Sequence, residues 1–442
     1  MKRLIFLLSV LFLQPVLAGE SHDDISDFTL DNGLRVYVLE DHRTPLAWFQ
    51  IWYNVGSSDE VNGLTGISHA LEHMMFKGTS KYGPGKIWKI VSEDGGMQNA
   101  FTSNDYTCYW QQLPANKIET SFDIESDRMQ NLVLTESDFK KERQVILEER
   151  RMRTEDNPNG LAYEQFTAAL KLATPYQDPV IGWQRDINNI TVGDMLAWYE
   201  KWYTPKNAVI IVAGDVKPSN VYALATKYFG NIKSHSIAPR PNLSPVPQLG
   251  KKILDINVDA KVPSFYLGFQ TPSLRTIAKD KKNEVYALAL LDQVITGGDS
   301  SILERELVRK TRIADSLASY YDPFSKYDGK FMFYGLPAAK ESSSSLEEAL
   351  LAQIDGLKHN LIPEDQLNRA KAQLLVGELF AKEAPNDRAM NIGSIVSIGL
   401  TPSEYNSFFT EIQQVTAPQI KAVVKKYFNS KNYVVAYVKP QK

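Results

Sequence analysis

The stretch His69-Ala70-Leu71-Glu72-His73 decides how the rest of the chain is interpreted. At 100° per residue, His69, Glu72 and His73 fall within one sector of about 100° on a helix. Two histidines four residues apart can bind one metal ion side by side through neutral imidazole nitrogens. Glu72, on the same face, is then free to take a proton from a water molecule held by the metal.

A catalytic zinc site needs a third protein ligand, and residues 135–155 supply candidates. This segment is predicted to be a helix that begins with a capping box formed by Thr135 and Asp138. Glu142 and Glu149 are two turns apart and fall within the predicted apolar sector of that helix. The other members of the sector are Phe139, Val145, Ile146 and Met152. A carboxylate on a buried face is costly unless a cation accompanies it, and that cation is either a metal ion or an arginine.

A histidine pair at this spacing is by itself more often an ordinary surface or core pair than a metal site. The glutamate between the histidines and the glutamate pair on the later helix favour the metal. The flanks of both segments extend the pattern. Residues 66–79 and 142–149 resemble the pitrilysin/insulinase family of zinc metallopeptidases, whose inverted motif is H-x-x-E-H followed by a distant glutamate. The resemblance extends over most of the chain.

This resemblance implies the roles of five residues. His69, His73 and Glu149 would hold one Zn²⁺ ion per chain. Glu72 would be the general base of a metallopeptidase, and Glu142 would orient one of the metal ligands. A closed structural zinc site is disfavoured, because no further Cys or His lies nearby to act as a fourth ligand.

The resemblance also implies where a peptide substrate binds. The strand that starts at residue 99 corresponds to a family strand that lies at a sheet edge beside the metal and pairs with an extended peptide. Asn99 and Ala100 would contact the substrate. The alternative is that Asn99 is a turn residue following Gly95 and Gly96.

A further substrate contact is expected from the second half of the molecule, where the family often has an arginine followed seven residues later by a tyrosine. Arg309 would be that arginine, but residue 316 is serine. Either Tyr320 or Tyr321 takes the place of the tyrosine, or a separate subunit supplies the pair. Family members of this length resemble mitochondrial processing peptidase subunits, so we expect a homodimer or a heterodimer with a second two-domain subunit.

Residues 1–18 have the pattern of a secretory signal peptide. Lys2 and Arg3 precede an apolar run at residues 4–13, and small residues mark a cleavage site after Ala18. An uncleaved anchor is the alternative, although the run is short for a bilayer span. We therefore expect export, in a bacterium to the periplasm, without stable membrane insertion.

The charge balance excludes one class of partner. The chain has 49 Lys and Arg against 52 Asp and Glu, a net charge of −3. Nucleic-acid binding requires a basic face that neutralises phosphates. A peptide substrate is the expected partner instead.

An internal duplication predicts the domain organisation. Residues 191–212 align without a gap on residues 416–437, and a proline-rich linker is predicted at 234–250. We expect a catalytic domain at 19–233 and a homologous domain without the metal motif at 251–442. The predicted class is α+β, with two related domains whose mixed, largely antiparallel sheets pack against helices.

The second copy is predicted to lack the chemistry. Aligning the turn after each metal-helix equivalent matches His69, Glu72 and His73 with Leu288, Leu291 and Asp292. These residues cannot form a zinc site of the same kind. The sequence thus predicts one zinc ion per chain and a zinc-dependent endopeptidase, the alternative being a non-catalytic or chaperone-like subunit of the same fold.

Overall fold

The computed structural model describes residues 25–237, 239–240 and 246–441. The predicted signal peptide at 1–18 lies outside the described residues. Within the described part of the chain, no helix combines the length and apolar character needed to cross a membrane.

The first sheet is built from strands that all precede the predicted linker. They are β1 (Ile25–Thr29), β2 (Arg35–Glu40), β3 (Leu46–Tyr53), β4 (Met97–Thr102), β5 (Thr107–Pro114) and β6 (Ala208–Gly214). Their order is β1-β2-β6-β3-β5-β4. Only β2 and β6 pair in parallel, and the other neighbours are antiparallel. Because β4 is last in this order, one side of it is open for pairing.

The helices of the first half include the two that were predicted to carry metal ligands. They are α1 (Ile67–Met74), α2 (Lys86–Glu93), α3 (Glu119–Asn131), α4 (Glu136–Arg150), α5 (Pro158–Leu170), α6 (Gln184–Asn189), α7 (Val192–Trp202) and α8 (Pro218–Phe229). A π-helical turn, Arg151–Glu155, follows α4 directly. Helix α1 packs against α4, α7 and β4, so the H-x-x-E-H segment lies between the edge of the sheet and the helix with the glutamates.

The second sheet follows the linker. Its strands are β7 (Lys252–Val258), β8 (Ser264–Thr271), β9 (Ala314–Tyr321), β10 (Gly329–Pro337) and β11 (Val434–Pro440). The helices of this half are α9 (Lys282–Thr296), α10 (Ser343–His359), α11 (Glu364–Ala381), α12 (Pro385–Ser397), α13 (Pro402–Gln414) and α14 (Ala417–Tyr427). A π-helical segment, Glu304–Lys310, lies between α9 and β9.

The two sheets have the same plan. The order β7-β11-β8-β10-β9 repeats β2-β6-β3-β5-β4, and the parallel pair is again at the equivalent position. Helix α9 packs against β9 and α11, as α1 packs against β4 and α4. The predicted α+β class with two duplicated domains is confirmed.

Each half donates one helix to the sheet of the other half. Helix α5 packs on β7, β8 and β11, whereas α12 packs on β3 and β6. Both contacts require glycine, because a Cβ atom on Gly393 of α12 would lie 2.1 Å from the Trp52 ring and one on Gly268 of β8 would lie 2.6 Å from Leu170 of α5. These exchanged helices join the two halves through continuous buried cores.

Candidate metal centre

Helix α1 carries both histidines and begins at a turn that requires glycine. Gly66 has a φ of 87°, and a Cβ atom there would lie 2.4 Å from the carbonyl oxygen of Ile181. The Glu60 carboxylate accepts hydrogen bonds from the main-chain nitrogens of Gly66 at 2.7 Å and Ser68 at 2.9 Å. These contacts satisfy main-chain donors that no helical carbonyl reaches, and they fix where α1 starts.

Helix α4 has the predicted beginning but a different apolar face. The Thr135 hydroxyl accepts a hydrogen bond from the Asp138 main-chain nitrogen at 3.1 Å, as a helix cap does. Val145 and Met152, predicted to be part of the apolar sector, are exposed. Val145 lies in the regular part of α4 and is exposed there, whereas Met152 lies in the π-helical turn that starts at Arg151 and changes the direction of the side chains. That prediction was therefore wrong for these two residues.

The structure brings His69, His73 and Glu149 together. Glu149 Oε2 lies 3.6 Å from His69 Nε2 and 3.3 Å from His73 Nε2. The three potential ligand atoms all lie within 4.8 Å of one another. Two imidazole nitrogens and one carboxylate oxygen are a donor set used by catalytic zinc sites, which leave a fourth position open. The residues therefore fit the metal that the sequence implies.

The electrostatics of the cluster also favour a cation. Burial and the neighbouring His73 lower the pKa of His69 to about 4, so its imidazole is neutral and able to act as a ligand. Burial also lowers the pKa of His73, but hydrogen bonds to Glu142 and Glu149 outweigh it and raise the pKa to about 9. Two carboxylates at one imidazole thus attract positive charge, which a proton or a metal ion can supply.

Glu142 lies behind His73. His73 Nδ1 donates a hydrogen bond to Glu142 Oε1 at 2.9 Å, which leaves Nε2 directed at Glu149. The other Glu142 oxygen forms an ion pair with the Lys77 ammonium. A carboxylate held in this way fixes both the ring orientation and the tautomer of a ligating histidine.

Glu72 lies beside the ligand cluster without belonging to it. Its Oε2 accepts a hydrogen bond of 2.6 Å from the Thr102 hydroxyl, at the end of β4. Burial raises the pKa of Glu72, and the hydrogen bond from Thr102 opposes that rise. A buried carboxylate with one directed hydroxyl partner is suited to accept a proton.

The predicted substrate-contacting residues of the first half lie on β4, at the sheet edge. Asn99 is exposed and Ala100 is partly buried. In the antiparallel pairing with β5, Asn99 lies opposite Trp110 and Ala100 lies opposite Tyr109. The other edge of β4 pairs with no strand among the described residues. Their role in substrate binding stays a prediction.

The structure places Arg309 in the π-helical segment after α9, where it pairs with Glu304 at 3.1 Å and with Asp299 at 3.3 Å. Of the two tyrosines proposed to accompany it, Tyr321 is buried and donates to a main-chain oxygen. Tyr320 is about half exposed. No described contact joins Arg309 to the metal cluster, and its substrate role also stays a prediction.

Sequence reasoning missed three side chains around the cluster. Thr102 donates a hydrogen bond to Glu72, and Lys77 forms an ion pair with Glu142. Arg153 Nη1 lies 2.8 Å from Glu149 Oε1. One of them had a readable signal, since Arg153 follows Glu149 by four residues, the spacing of helical neighbours. The Lys77–Glu142 contact joins segments far apart in the chain. The Thr102 contact joins distant segments, so spacing alone does not reveal it.

Two family models match the chain in succession. Residues 35–182 match the model described as insulinase, peptidase family M16. Residues 189–374 match the model described as the peptidase M16 inactive domain. All of the clustered residues fall within the first match.

Named relatives cover nearly the whole chain. The zinc protease PqqE of Helicobacter pylori is 29% identical over 420 residues, which span 93% of this chain and 92% of the relative. An uncharacterised zinc protease of Mycobacterium leprae is 30% identical over 426 residues, 93% of this chain and 91% of the relative. The similarity is thus end to end rather than confined to the motif.

A solved structure has the same fold. The crystal structure of a protease from Helicobacter pylori superposes with a TM-score of 0.87 at 28% sequence identity. The match covers 94% of this chain and 99% of that one. The likeness therefore includes both halves of the chain.

Proposed function

The chain belongs to the insulinase family of peptidases, family M16, and from this we propose that it is a zinc-dependent endopeptidase that cleaves peptides or unstructured polypeptides. Relatives named as zinc proteases support a peptidase function. The model described as inactive matches residues 189–374, and the clustered residues lie outside that match.

In this proposal His69, His73 and Glu149 hold the zinc ion, and Glu142 orients His73 from behind. The chemistry that bound zinc supplies is Lewis acidity, which lowers the pKa of a water molecule toward about 7 and stabilises developing negative charge. Glu72 takes the proton of the attacking water and delivers it to the leaving amine. Thr102 holds the Glu72 carboxylate in place for both transfers. Strand β4 binds the substrate main chain by adding it as a further strand.

One observation carries the proposal. Three ligand atoms from α1 and α4 converge, while a further carboxylate, that of Glu72, lies on the helix of the two histidines and accepts a hydrogen bond from Thr102. A purely structural site has no use for that separate carboxylate, because its coordination is closed by protein ligands.

The test separates metal binding from turnover. Glu72→Gln should retain about one zinc per chain by mass spectrometry of metals, and should lower kcat by about 10²–10⁴-fold. Cleavage of an unstructured fluorogenic peptide supplies the rate. Glu148→Gln is a matched control, because Glu148 is the exposed neighbour of Glu149 and pairs only with Arg151 among the described contacts. Full activity of Glu72→Gln would contradict the assigned base, and a chelator-insensitive or absent peptidase activity would favour the non-catalytic alternative.

We also propose that the protein is exported to the periplasm after cleavage following Ala18. The basic start and short apolar run support this. Amino-terminal sequencing of the protein from fractionated cells should give Gly19 as the first residue. A cytoplasmic protein beginning at Met1 would refute export.

A second subunit is part of the proposal as well. Serine at position 316 leaves the family's arginine–tyrosine pair incomplete, and α11 has a run of exposed apolar side chains. These are Leu375, Val376, Leu379 and Phe380. Exposed apolar groups of this kind are typical of an interaction surface. Light scattering after size-exclusion chromatography should give a dimer mass, and a fully active monomer would contradict it.

A further inference from the structure

A cavity of about 440 Å³ lies between the two halves of the chain. The first half lines it with residues 103–106, with Arg153 and Thr154, and with one face of α5. The second half contributes the end of β9 and the start of β10. Both halves must be present for this cavity to exist.

The cavity adjoins the metal cluster in two ways. Arg153, which lines it, also pairs with Glu149 at 2.8 Å. The loop 103–106 directly continues β4 beyond Thr102, whose hydroxyl holds Glu72. A peptide added along β4 and extended past Glu72 therefore reaches this cavity next.

The walls of the cavity are aromatic and cationic together. Tyr106, Tyr163, Tyr320 and Phe324 provide ring surface. Lys330 Nζ donates to the Tyr163 hydroxyl at 2.7 Å and to Thr167 Oγ1 at 3.3 Å, and it lies 4.4 Å from the Tyr163 ring centre. Its described contacts are to hydroxyl oxygens and a ring rather than to a carboxylate. Its positive charge is thus available to a ligand.

A buried amine, that of Lys171, lies in the same cavity as the partly buried Lys330. Lys171 Nζ donates to the main-chain oxygens of Asp328, at 2.6 Å, and of Gly329. Burial, and to a lesser extent the charge of Lys330, lower the pKa of Lys171 to about 7. Lys171 therefore ties α5 to β10, while Lys330 remains the ammonium that meets the cavity.

The acidic groups of the cavity are mostly engaged elsewhere. Arg150 holds Glu164 through two hydrogen bonds of 2.8 and 3.0 Å. Asp105 accepts from three donors, and Asp178 accepts from an indole nitrogen at 2.7 Å. Burial raises the pKa of Asp322, which disfavours its negative charge. None of these four acidic groups forms a described ion pair with Lys330, whose Nζ contacts are the Tyr163 and Thr167 hydroxyl oxygens.

Resting on the proposed peptidase function, we propose that this cavity is a specificity pocket that selects substrates carrying a carboxylate, held by Lys330 and flanked by the aromatic walls. The carboxylate belongs either to an acidic side chain or to the free carboxyl terminus of a peptide. Lys330 is then a specificity-determining residue, and a charge-assisted hydrogen bond supplies the selectivity.

The test measures binding in the Glu72→Gln background, so that cleavage does not complicate it. Fluorescence anisotropy gives Kd for a labelled unstructured peptide and for variants in which Glu, Gln or Lys is scanned along it. At one position Glu should bind about tenfold more tightly than Gln. Peptides with a free or an amidated carboxyl terminus distinguish the second source of the carboxylate.

The decisive variants change Lys330. Lys330→Met should reduce the Glu-to-Gln preference, or the free-to-amidated preference, to about one, and Lys330→Glu should reverse it in favour of Lys. Lys89→Met, an exposed lysine on α2, is the matched control and should leave the preference unchanged. Two results would overturn the proposal. One is equal affinity for all peptides when Lys330 is retained, and the other is a preference that persists in Lys330→Met.

This outcome is separate from that of the proposed function. A carboxylate preference in binding without any zinc-dependent cleavage would retain the pocket and refute the peptidase. Cleavage with no carboxylate preference would do the reverse.

Discussion

Helices α1 and α9 occupy equivalent places beside the edge strands of the two sheets, and they present different chemistry there. In the first half, Thr102 of β4 donates to Glu72 of α1. In the second half, Ser319 of β9 donates to Asp292 of α9. The hydroxyl–carboxylate pair beside the edge strand is thus present in both halves.

The ligands are not repeated. Where His73 faces Glu149 across the cluster, Gln293 Nε2 donates to Gln373 Oε1 at 3.1 Å. The position equivalent to His69 is Ala289. Two amides satisfy each other by hydrogen bonding, so α9 and α11 pack together without a cation. The second half therefore lacks the metal ligands without leaving an unpaired charge between α9 and α11.

This comparison corrects the sequence alignment of the two halves. Leu288 and Leu291, which were expected to match His69 and Glu72, are buried in the core. The residues that contact the edge strand and α11 come one position later than this alignment placed them, at Asp292 and Gln293. The turn used as an anchor misled the alignment because Gly78 follows His73 by five residues, whereas Gly297 follows Gln293 by four.

The largest effect is expected from a substitution that removes a metal ligand of the first half and leaves the second half unchanged. Glu149→Ala should reduce zinc to well below one per chain and lower kcat/KM by about 10³-fold or more, since the Lewis acid contributes several kcal/mol. Gln373→Ala, the equivalent change in the second half, should leave both within twofold. Metal analysis and peptide cleavage check each variant. Stoichiometric zinc in Glu149→Ala would exclude this residue as a ligand.

The next effect tests the exchanged helices. Gly393→Val should destabilise the protein by about 3 kcal/mol, because the added atoms meet the buried Trp52 ring. Gly377→Ala in α11 is the control, since an added Cβ meets nothing within 4 Å there, and it should stabilise by about 0.5–1 kcal/mol. Urea unfolding followed by tryptophan fluorescence measures both. Equal midpoints for the two variants would show that α12 is not held against the first sheet.

A smaller effect concerns Asp292. Burial raises its pKa to about 6, well above the usual range of an aspartate. The folded state then binds a proton that the unfolded state has released, so this group loses stability as pH rises from about 4 through 6. Asp292→Asn should therefore gain about 2 kcal/mol relative to the parent between pH 4 and pH 7. Parallel urea midpoints across that pH range would contradict the raised pKa.

The smallest expected effect compares the two hydroxyls. Thr102→Val should lower kcat about tenfold with little change in KM, because Glu72 loses the bond that orients it. Thr102→Ser should restore most of the rate, and Ser319→Ala should leave it unchanged. A KM change without a kcat change would mean that Thr102 acts on substrate binding instead.

Much of the fold was predictable because it rests on local signals. The cap at Thr135 follows from the residues that start a helix, and the repeated order of elements follows from the internal duplication of the sequence. The exchange of α5 and α12 between the two halves did not follow from the sequence, because an apolar pattern on a helix does not indicate which sheet the helix packs against. The ion pair of Arg150 with Glu164 was not predicted either, because the two residues lie on different helices, α4 and α5.

The sequence by itself determined the chemistry available to the first half: two histidines and a glutamate on one helical face, with two further glutamates two turns apart. Helical periodicity is a local property, so the residues alone set it. Only the tertiary structure decided that Glu149 meets the histidines, that Thr102 holds Glu72 and that Lys330 faces a cavity shared by both halves. These contacts join segments far apart in the chain, and packing between the helices and the sheets brings them within reach.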